Sequence, residues 1–407
     1  MVVTSEGLHL NIITVTDDFP PRIGGMATHA WELSKALARL GHRVSVVTAA
    51  HYRMSKSRLK FPRTEEKDGV VVARLGVVGF RREWQLLRGL IGRIEAFAEG
   101  WSDETVIHAH ELFACTRIRP LTQLPLVWTN HSSVFLGGLG DHNIRYDLRK
   151  DIALADFITA PSRELVEKTL ELGVAPSRCR YIPNGVDLGL LSADRGCSPG
   201  TRTWHGTSET IRIPPEKCAI VCARRFAAKN GIHVFLDALG RLPSDVAERC
   251  VVLFAGNITR RNAAVSEYER DMLKRISKIS PGIECHLLGS VPNAAMPTLY
   301  ACADLCVLPS FQEATSITGL EAMAASLPIV GSTAGGIPEI VEHGKTGLLS
   351  EPGDSQKMGQ HLQQLILSRD RRLMMGAAAR KKAELEFSWA AIAARFVDVY
   401  ESVLADE

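Results

Sequence analysis

The sequence has no long apolar run, no Cys-x-x-Cys pair and no strong charge of either sign. Each absence excludes a class of protein. No stretch approaches the roughly 20 apolar residues of a membrane-spanning helix. The nine cysteines are an odd number, so neither a disulfide framework nor a zinc module is expected. Cys218/Cys222 and Cys302/Cys306 lie inside apolar runs, where cysteine behaves as a small buried hydrophobe. A reducing compartment fits this usage, and the localisation expected is cytoplasmic. A formal net charge of +3 is too near balance to point to nucleic acid. The start of the sequence has no charged n-region, and its apolar stretch Leu8–Val15 runs into Asp17-Asp18. That reads as a first strand, not a signal peptide.

What is present is a regular alternation of short apolar runs and amphipathic stretches. The 407 residues, 45% of them apolar, suffice for two or three cores. Leu8–Val15 reads as a strand, DDFPPRIGG as a turn, and Ala27–Leu40 as a helix ending at Gly41, followed by a strand at Arg43–Thr48. This is a βαβ unit. Strands are read again at Val70–Arg74, Thr105–His110, Leu126–Thr129, Phe157–Ala160 and Arg180–Pro183. From Val186 to about Ile213 the pattern lapses into Gly, Ser, Thr, Asp and Pro, which reads as linker and loop. A second series starts at Cys218 and runs to the helices Ser355–Leu367 and Asp370–Phe387. The layout expected is an N-terminal domain over 1–187, a linker over 188–213 and a C-terminal domain over 214–388. The amphipathic helix Trp389–Leu404 packs in the second domain or crosses back; the layout assigns 389–407 to the first. Two doubly wound α/β domains facing each other across a cleft is the economical architecture, with ligand at the carboxyl ends of the strands.

The chemistry concentrates in PSFQEATSITGLEAMAASLPIVGSTAGGIPEIVEHGKTGLLSEPGD. Glu313 follows the strand Leu305–Leu308, and Glu321 lies inside the next helix. Mostly small residues, Ala314 to Gly319, stand at the helix start. Free N–H groups and the helix dipole there suit an anion such as a diphosphate. Two carboxylates can accept hydrogen bonds from vicinal sugar hydroxyls. In isolation the same pair would read as a cap and a solvated face.

These motifs resemble a family. Glu313-x7-Glu321 leading into EAMA, then LPIV, GGIPEIV, G-x-TG-L and PGD, is similar to the retaining glycosyltransferases of family 4. FPPRIGGMATHAWELSKALARLGHRVSVVT, ADFITAPSR, YIPNGVD, ARRFAAKNGI and LLGSVPNAAMPTLYACADLCVLPS extend the likeness over most of the chain. The resemblance implies a GT-B fold of two Rossmann-like domains. It implies a nucleoside-diphosphate sugar donor, UDP-linked first and GDP-linked second, and transfer with retention to a hydroxyl of a glycan, lipid-linked intermediate or small metabolite. No cofactor or metal is required on this reading.

Carried over residue by residue, Glu321 holds the ribose hydroxyls and Glu313 the sugar hydroxyls. The backbone N–H groups of Thr315, Ser316 and Ile317 lie near sugar and phosphates. Arg224 and Lys229 neutralise the diphosphate leaving group. Gly24 and Gly25 bring backbone beside the diphosphate. His131, after the strand in WTNHSS, sits near the reacting carbon as a positioning group. In HAHE, His108 and His110 share a strand face and could chelate a metal; the family has a similar V-H-x-H facing the cleft. Glu111 is a candidate acceptor contact. Asn184-Gly185 and Gly335-Gly336 read as turns, and Glu339 as structural. The sequence departs from the family at Ala314 and Thr315, at Ser326 before Leu327 and at Ala223 before Arg224, positions where Gly or Phe is common. Those departures bear on donor identity. A nucleotide-sugar epimerase, a phosphorylase and a silent nucleotide-sugar binder are the competing functions. The first half carries a basic excess, with FRREW and LLRGLIGRIEAF mixing Arg82, Arg88 and Arg93 with Trp84, Leu86 and Leu90. This is either a face for an anionic membrane or a helix packed on the sheet with a solvated basic side.

Overall fold

The computed structural model describes residues 9–21, 24–50, 63–76, 104–110, 114–131, 142–189, 191, 202–206, 210–256, 266–279, 282–313 and 315–405, with Gly92 and Ala96. Most of the basic amphipathic stretch, Glu111 and Ala314 lie outside the described residues. The chain divides into two compact units, Met1–Gly185 with Trp389–Glu407, and Val186–Ser388.

The first unit is built on an eight-stranded sheet in the order β3-β4-β2-β1-β5-β6-β7-β8. Its strands are β1 Asn11–Thr16, β2 Arg43–Ala50, β3 Arg63–Lys67, β4 Val70–Gly76, β5 Thr105–Ala109, β6 Leu126–Thr129, β7 Phe157–Ala160 and β8 Cys179–Tyr181. All neighbours pair in parallel except β3 with β4. The central runs are apolar because both faces of a parallel sheet are covered; every residue of β5, β6 and β7 is buried. The alternation reading finds these strands. It misses β3, RTEEK, because an edge strand carries charge rather than a buried stripe. Asp68 and Gly69, both at positive φ, close that hairpin. Helix Gly25–Arg39 buries Ala30, Leu33 and Leu37 on the sheet, and Gly41 adopts φ 94 just beyond it, as a helix-ending glycine should. Helix Trp389–Ala405 joins this unit: Ile392, Phe396, Val399 and Tyr400 share one core with Leu33, Leu37 and Val106.

The second unit is a parallel six-stranded sheet in the order β13-β12-β11-β14-β15-β16. Here β11 is Cys218–Cys222, β12 Cys250–Ala255, β13 Glu284–Gly289, β14 Leu305–Leu308, β15 Ile329–Ser332 and β16 Gly347–Ser350. Where the sequence reads a structureless linker over 188–213, Arg202–His205 (β9) and Thr210–Ile213 (β10) form an antiparallel hairpin. Trp204, Ile211 and Ile213 are buried in the unit's core. Composition hid the hairpin, although Ile211-Arg212-Ile213 has the period of a half-buried strand. The eight described cysteines are free thiols, six of them buried.

Candidate functional site

In the second unit the strand order reverses between β11 and β14. Such a switch point opens a crevice at the carboxyl ends of the two strands. Arg224 stands two residues beyond β11, and Ser310 and Glu313 follow β14. Arg224 Nη2 donates to Ser310 Oγ at 2.8 Å and forms an ion pair with Glu313 Oε2. Ser310 Oγ also reaches Glu313 Oε2 at 3.4 Å. Arg224 Nε is buried with no hydrogen-bond partner among the described residues. The cation and carboxylate are therefore one coupled unit rather than two independent groups.

Close backbone packing fixes this cluster. Gly336 N donates to the Glu313 carbonyl at 3.0 Å, and a Cβ on Gly335 would lie 1.7 Å from that same oxygen. Gly335 has φ 50 as well, so both space and conformation demand glycine there. A Cβ on Gly256 would lie 1.9 Å from the Arg224 carbonyl. Gly335-Gly336 is thus a turn, as read, and also the seat of Glu313. Its role was hidden because a contact between residues so far apart in sequence leaves no local signal.

Helix Ile317–Ala324 follows. Ser316 is its N-cap, and its Oγ accepts from Gly319 N at 3.1 Å. That hydroxyl caps the helix as an acceptor and keeps its O–H as a donor. Thr318 Oγ1 donates to the Ala223 carbonyl at 3.2 Å, tying the helix start to the residue before Arg224. Glu321 accepts from Tyr300 OH at 2.8 Å. Burial pushes the Glu321 carboxyl up to about 7, against the lowering effect of the Tyr300 bond. Glu313 and Glu321 therefore have different partners and different electrostatics. The sequence reading missed Tyr300 and Ser310, although both stand in the quoted motif run. Lys229 lies exposed in the turn Ala228–Asn230, and its carbonyl accepts from Phe311 N at 2.7 Å. Its ammonium makes no ion pair among the described residues. Phe311 stacks on His233 with ring centroids 5.4 Å apart. Glu339 lies in the short helix Ile337–Ile340.

Gly24, Gly25 and His131 belong to the first unit. Gly24 is the N-cap of helix Gly25–Arg39, with no side-chain cap. His131 Nε2 meets His110 Nδ1 at 3.0 Å. His29, on the helix, and His108 complete a cluster of four imidazoles. Burial, and then the neighbouring imidazoles, holds His108, His110 and His131 well below the usual histidine range. Burial also lowers His29 to about 4, although its bond to Asn184 opposes this. All four are neutral at pH 7. His131 can give or take a hydrogen bond but brings no fixed positive charge, consistent with a positioning group rather than an acid. His108 and His110 share the strand face, as read, but His108 has no ring nitrogen left for a metal. Both ring nitrogens of His108 are occupied, by Tyr400 OH at 2.7 Å and Thr129 Oγ1 at 2.6 Å. Asn184, read as a turn residue, reaches the His29 ring instead, with 2.8 Å between Oδ1 and Nδ1.

Residues 23–190 match the family model described as Glycosyltransferase Family 4, and residues 207–382 match Glycosyl transferases group 1. A D-inositol 3-phosphate glycosyltransferase of Corynebacterium aurimucosum is 26% identical over 404 residues, covering 94% of this chain and 92% of that protein. An N-acetyl-alpha-D-glucosaminyl L-malate synthase of Bacillus anthracis is 23% identical, covering 95% and 96%. Among solved structures, Anabaena Alr3699/HepE in complex with UDP-glucose superposes with TM-score 0.71 at 19% identity, covering 97% of this chain and 100% of that one. These likenesses give the fold as GT-B, with Rossmann-like parallel sheets.

Proposed function

The chain belongs to the glycosyltransferases of GT-B fold that carry the family 4 and group 1 domains, and from that premise we propose that it is a retaining enzyme using a nucleoside-diphosphate sugar. UDP is the favoured nucleotide and GDP the second. The observation that carries this reading is the Arg224–Ser310–Glu313 cluster at the switch point, followed by the helix start at Ser316-Ile317. A diphosphate fits a guanidinium, an ammonium and free helix amides. Glu321 accepts from ribose hydroxyls and Glu313 from sugar hydroxyls. Arg224 and Lys229 stabilise the charge that develops on the departing phosphate. The bond from the anomeric carbon to the diphosphate oxygen breaks, and its electron pair leaves with the phosphate. The acceptor oxygen bonds to the same face of that carbon, and its proton passes to the departing phosphate oxygen. His131, neutral, positions the sugar.

For the acceptor we propose a hydroxyl compound bearing negative charge. The relatives named for D-inositol 3-phosphate and for L-malate support this class. Incubation with UDP-, GDP- and ADP-sugars and a panel of such acceptors tests the whole reading. Nucleotide release that rises with acceptor, and a product with the donor's anomeric configuration by NMR, is the expected result. Sugar isomerisation without transfer would indicate an epimerase. Inversion in the product would sink the retaining assignment.

A further inference from the structure

We propose that Tyr300 is a positioning residue for nucleotide binding: its phenol holds one oxygen of the Glu321 carboxylate in the core and leaves the other, Oε1, to the ribose hydroxyls. This role rests on the reading of Glu321 as the ribose acceptor and adds a residue to it. Tyr300 lies in helix Met296–Cys302, which precedes β14, and Glu321 lies in helix Ile317–Ala324, which follows β14. Tyr300 is fully buried and shares a core with Cys306, Leu308, Leu320 and Ala322. The two helices thus bring together side chains 21 residues apart in sequence.

The hydroxyl is the part of Tyr300 that packing does not explain. A phenylalanine would fill the same space, and burying a phenol without a partner is costly. Tyr300 OH donates to Glu321 Oε2 at 2.8 Å. Thr318 also meets the phenol, but its one hydroxyl proton goes to the Ala223 carbonyl at 3.2 Å. Glu321 Oε1 has no hydrogen-bond partner among the described residues. An ionised carboxylate has about four acceptor positions. Tyr300 takes one and orients the group, so two vicinal hydroxyls can still be accepted.

The same bond favours the charged form of Glu321. Burial raises the Glu321 carboxyl to about 7, and donation from Tyr300 opposes the rise. Tyr300 itself stays protonated, because burial and then the Glu321 charge hold its phenol well above the usual tyrosine range. The other ionisable groups on the surrounding elements do not replace this donor. Cys306 on β14 is kept a neutral thiol by burial, and Arg224 is paired with Glu313. Arg380, on the helix packed against Ile317–Ala324, is spent on the Ala324 carbonyl and on Glu384. Glu339, in the short helix Ile337–Ile340, is an acceptor like Glu321 itself. Without the Tyr300 hydroxyl, Glu321 holds its proton at neutral pH and offers fewer acceptor positions to a ribose.

The test is calorimetric titration of the full chain with UDP and with GDP, from about pH 6 to about pH 9, on wild type, Tyr300→Phe, Glu321→Gln and the double variant. Glu321→Gln supplies the baseline, which includes the titration of the nucleotide itself. Relative to it, wild-type affinity should rise with a midpoint near the Glu321 value of about 7. Tyr300→Phe should move that midpoint up by about one to two pH units, the equivalent of a lost hydrogen bond to a charged group. Its affinity should be about 3- to 20-fold weaker at pH 7.5, with most of the loss recovered at pH 9. In the Glu321→Gln background, Tyr300→Phe should change affinity by no more than about 2-fold. With a nucleotide sugar at pH 7.5, KM should rise by the same factor and kcat hold, because the ribose contact is equal in ground and transition states. A wild-type profile that parallels Glu321→Gln, or no binding of either nucleotide, removes Glu321 from ribose recognition, and the role of Tyr300 falls with it. A wild-type midpoint that Tyr300→Phe does not move, or a loss equal at every pH, overturns the role of Tyr300 alone. Should Tyr300→Phe not fold by circular dichroism, site-specific 3-fluorotyrosine at position 300, a more acidic donor, decides: the midpoint must fall, and an unmoved midpoint overturns the proposal.

Discussion

Glu321 sits in an environment unlike that of a surface carboxylate. Its carboxyl moves from an ordinary 4.5 to about 7 because burial disfavours the charge. The folded state therefore holds the proton more tightly than the unfolded chain does. Stability contributed by this group is greatest below about pH 4.5, falls as pH rises to about 7, and is constant above. The shift corresponds to about 3 kcal/mol, to order of magnitude. Glu321→Gln should remove that segment of the pH–stability profile in chemical denaturation and leave the protein more stable than wild type at pH 8. Nucleotide affinity should weaken as wild-type Glu321 protonates below about pH 7, and titration calorimetry at pH 6 and 8 measures this. Equal affinities would remove Glu321 from ribose recognition. Lys229 is a different case. It is exposed and without an ion pair among the described residues, so Lys229→Ala should leave the fold intact. On the proposed mechanism it lowers kcat about 100-fold with little change in KM. Normal turnover would show that leaving-group charge is met elsewhere. Arg224 is a poorer probe, because its removal strands Glu313 as an unpaired, largely buried carboxylate.

Among the elements, the junction after helix Ile317–Ala324 is instructive. Ser326 adopts φ 61, one of two described non-glycine residues at positive φ. The family resemblance marks this as a position where glycine is common, and the backbone supplies the reason: a Cβ is disfavoured there. Ser326→Gly should raise stability by about 1 kcal/mol, visible as an increase in Tm. The neighbouring contact works in the opposite direction. A Cβ on Gly376, in helix Arg369–Glu386, would lie 2.0 Å from the Ser326 carbonyl, so Gly376→Ala must push helix and loop apart. A loss of about 2–3 kcal/mol is expected from overpacking of this kind. No change in Tm would mean that the helix shifts freely. Sequence reading found these helices from their apolar spacing. It could not find Gly376, since a glycine within a helical run gives no sign of what its bare face touches.

For the whole molecule, the C-terminal helix is the informative element. Trp389, Ile392, Phe396, Val399, Tyr400 and Val403 are buried in the first unit, although the helix follows the second unit in sequence. At about 1.5–3 kcal/mol per large apolar side chain, their removal costs about 9–18 kcal/mol, as much as the 5–15 kcal/mol that holds a typical domain together. Truncation after Ser388 should therefore unfold the first unit while the second stays protease-resistant, and limited proteolysis with mass mapping distinguishes the two. Survival of both units would mean that the helix is an accessory. No helix among the described residues is long and apolar enough to cross a membrane, in line with the hydropathy of the sequence. The sequence by itself determined the class of fold, because buried parallel strands must be short apolar runs and the helices between them must be amphipathic. It also held the acidic motif, where Glu313 and Glu321 stand at a strand end and a helix start and where the family resemblance singles out Arg224. Tertiary structure alone decided which groups pair: Arg224 with Glu313, Tyr300 with Glu321, and His29 with His110, His131 and Asn184. Those pairings join segments tens to hundreds of residues apart. Their partners are set by strand order and register, which apolar periodicity does not encode.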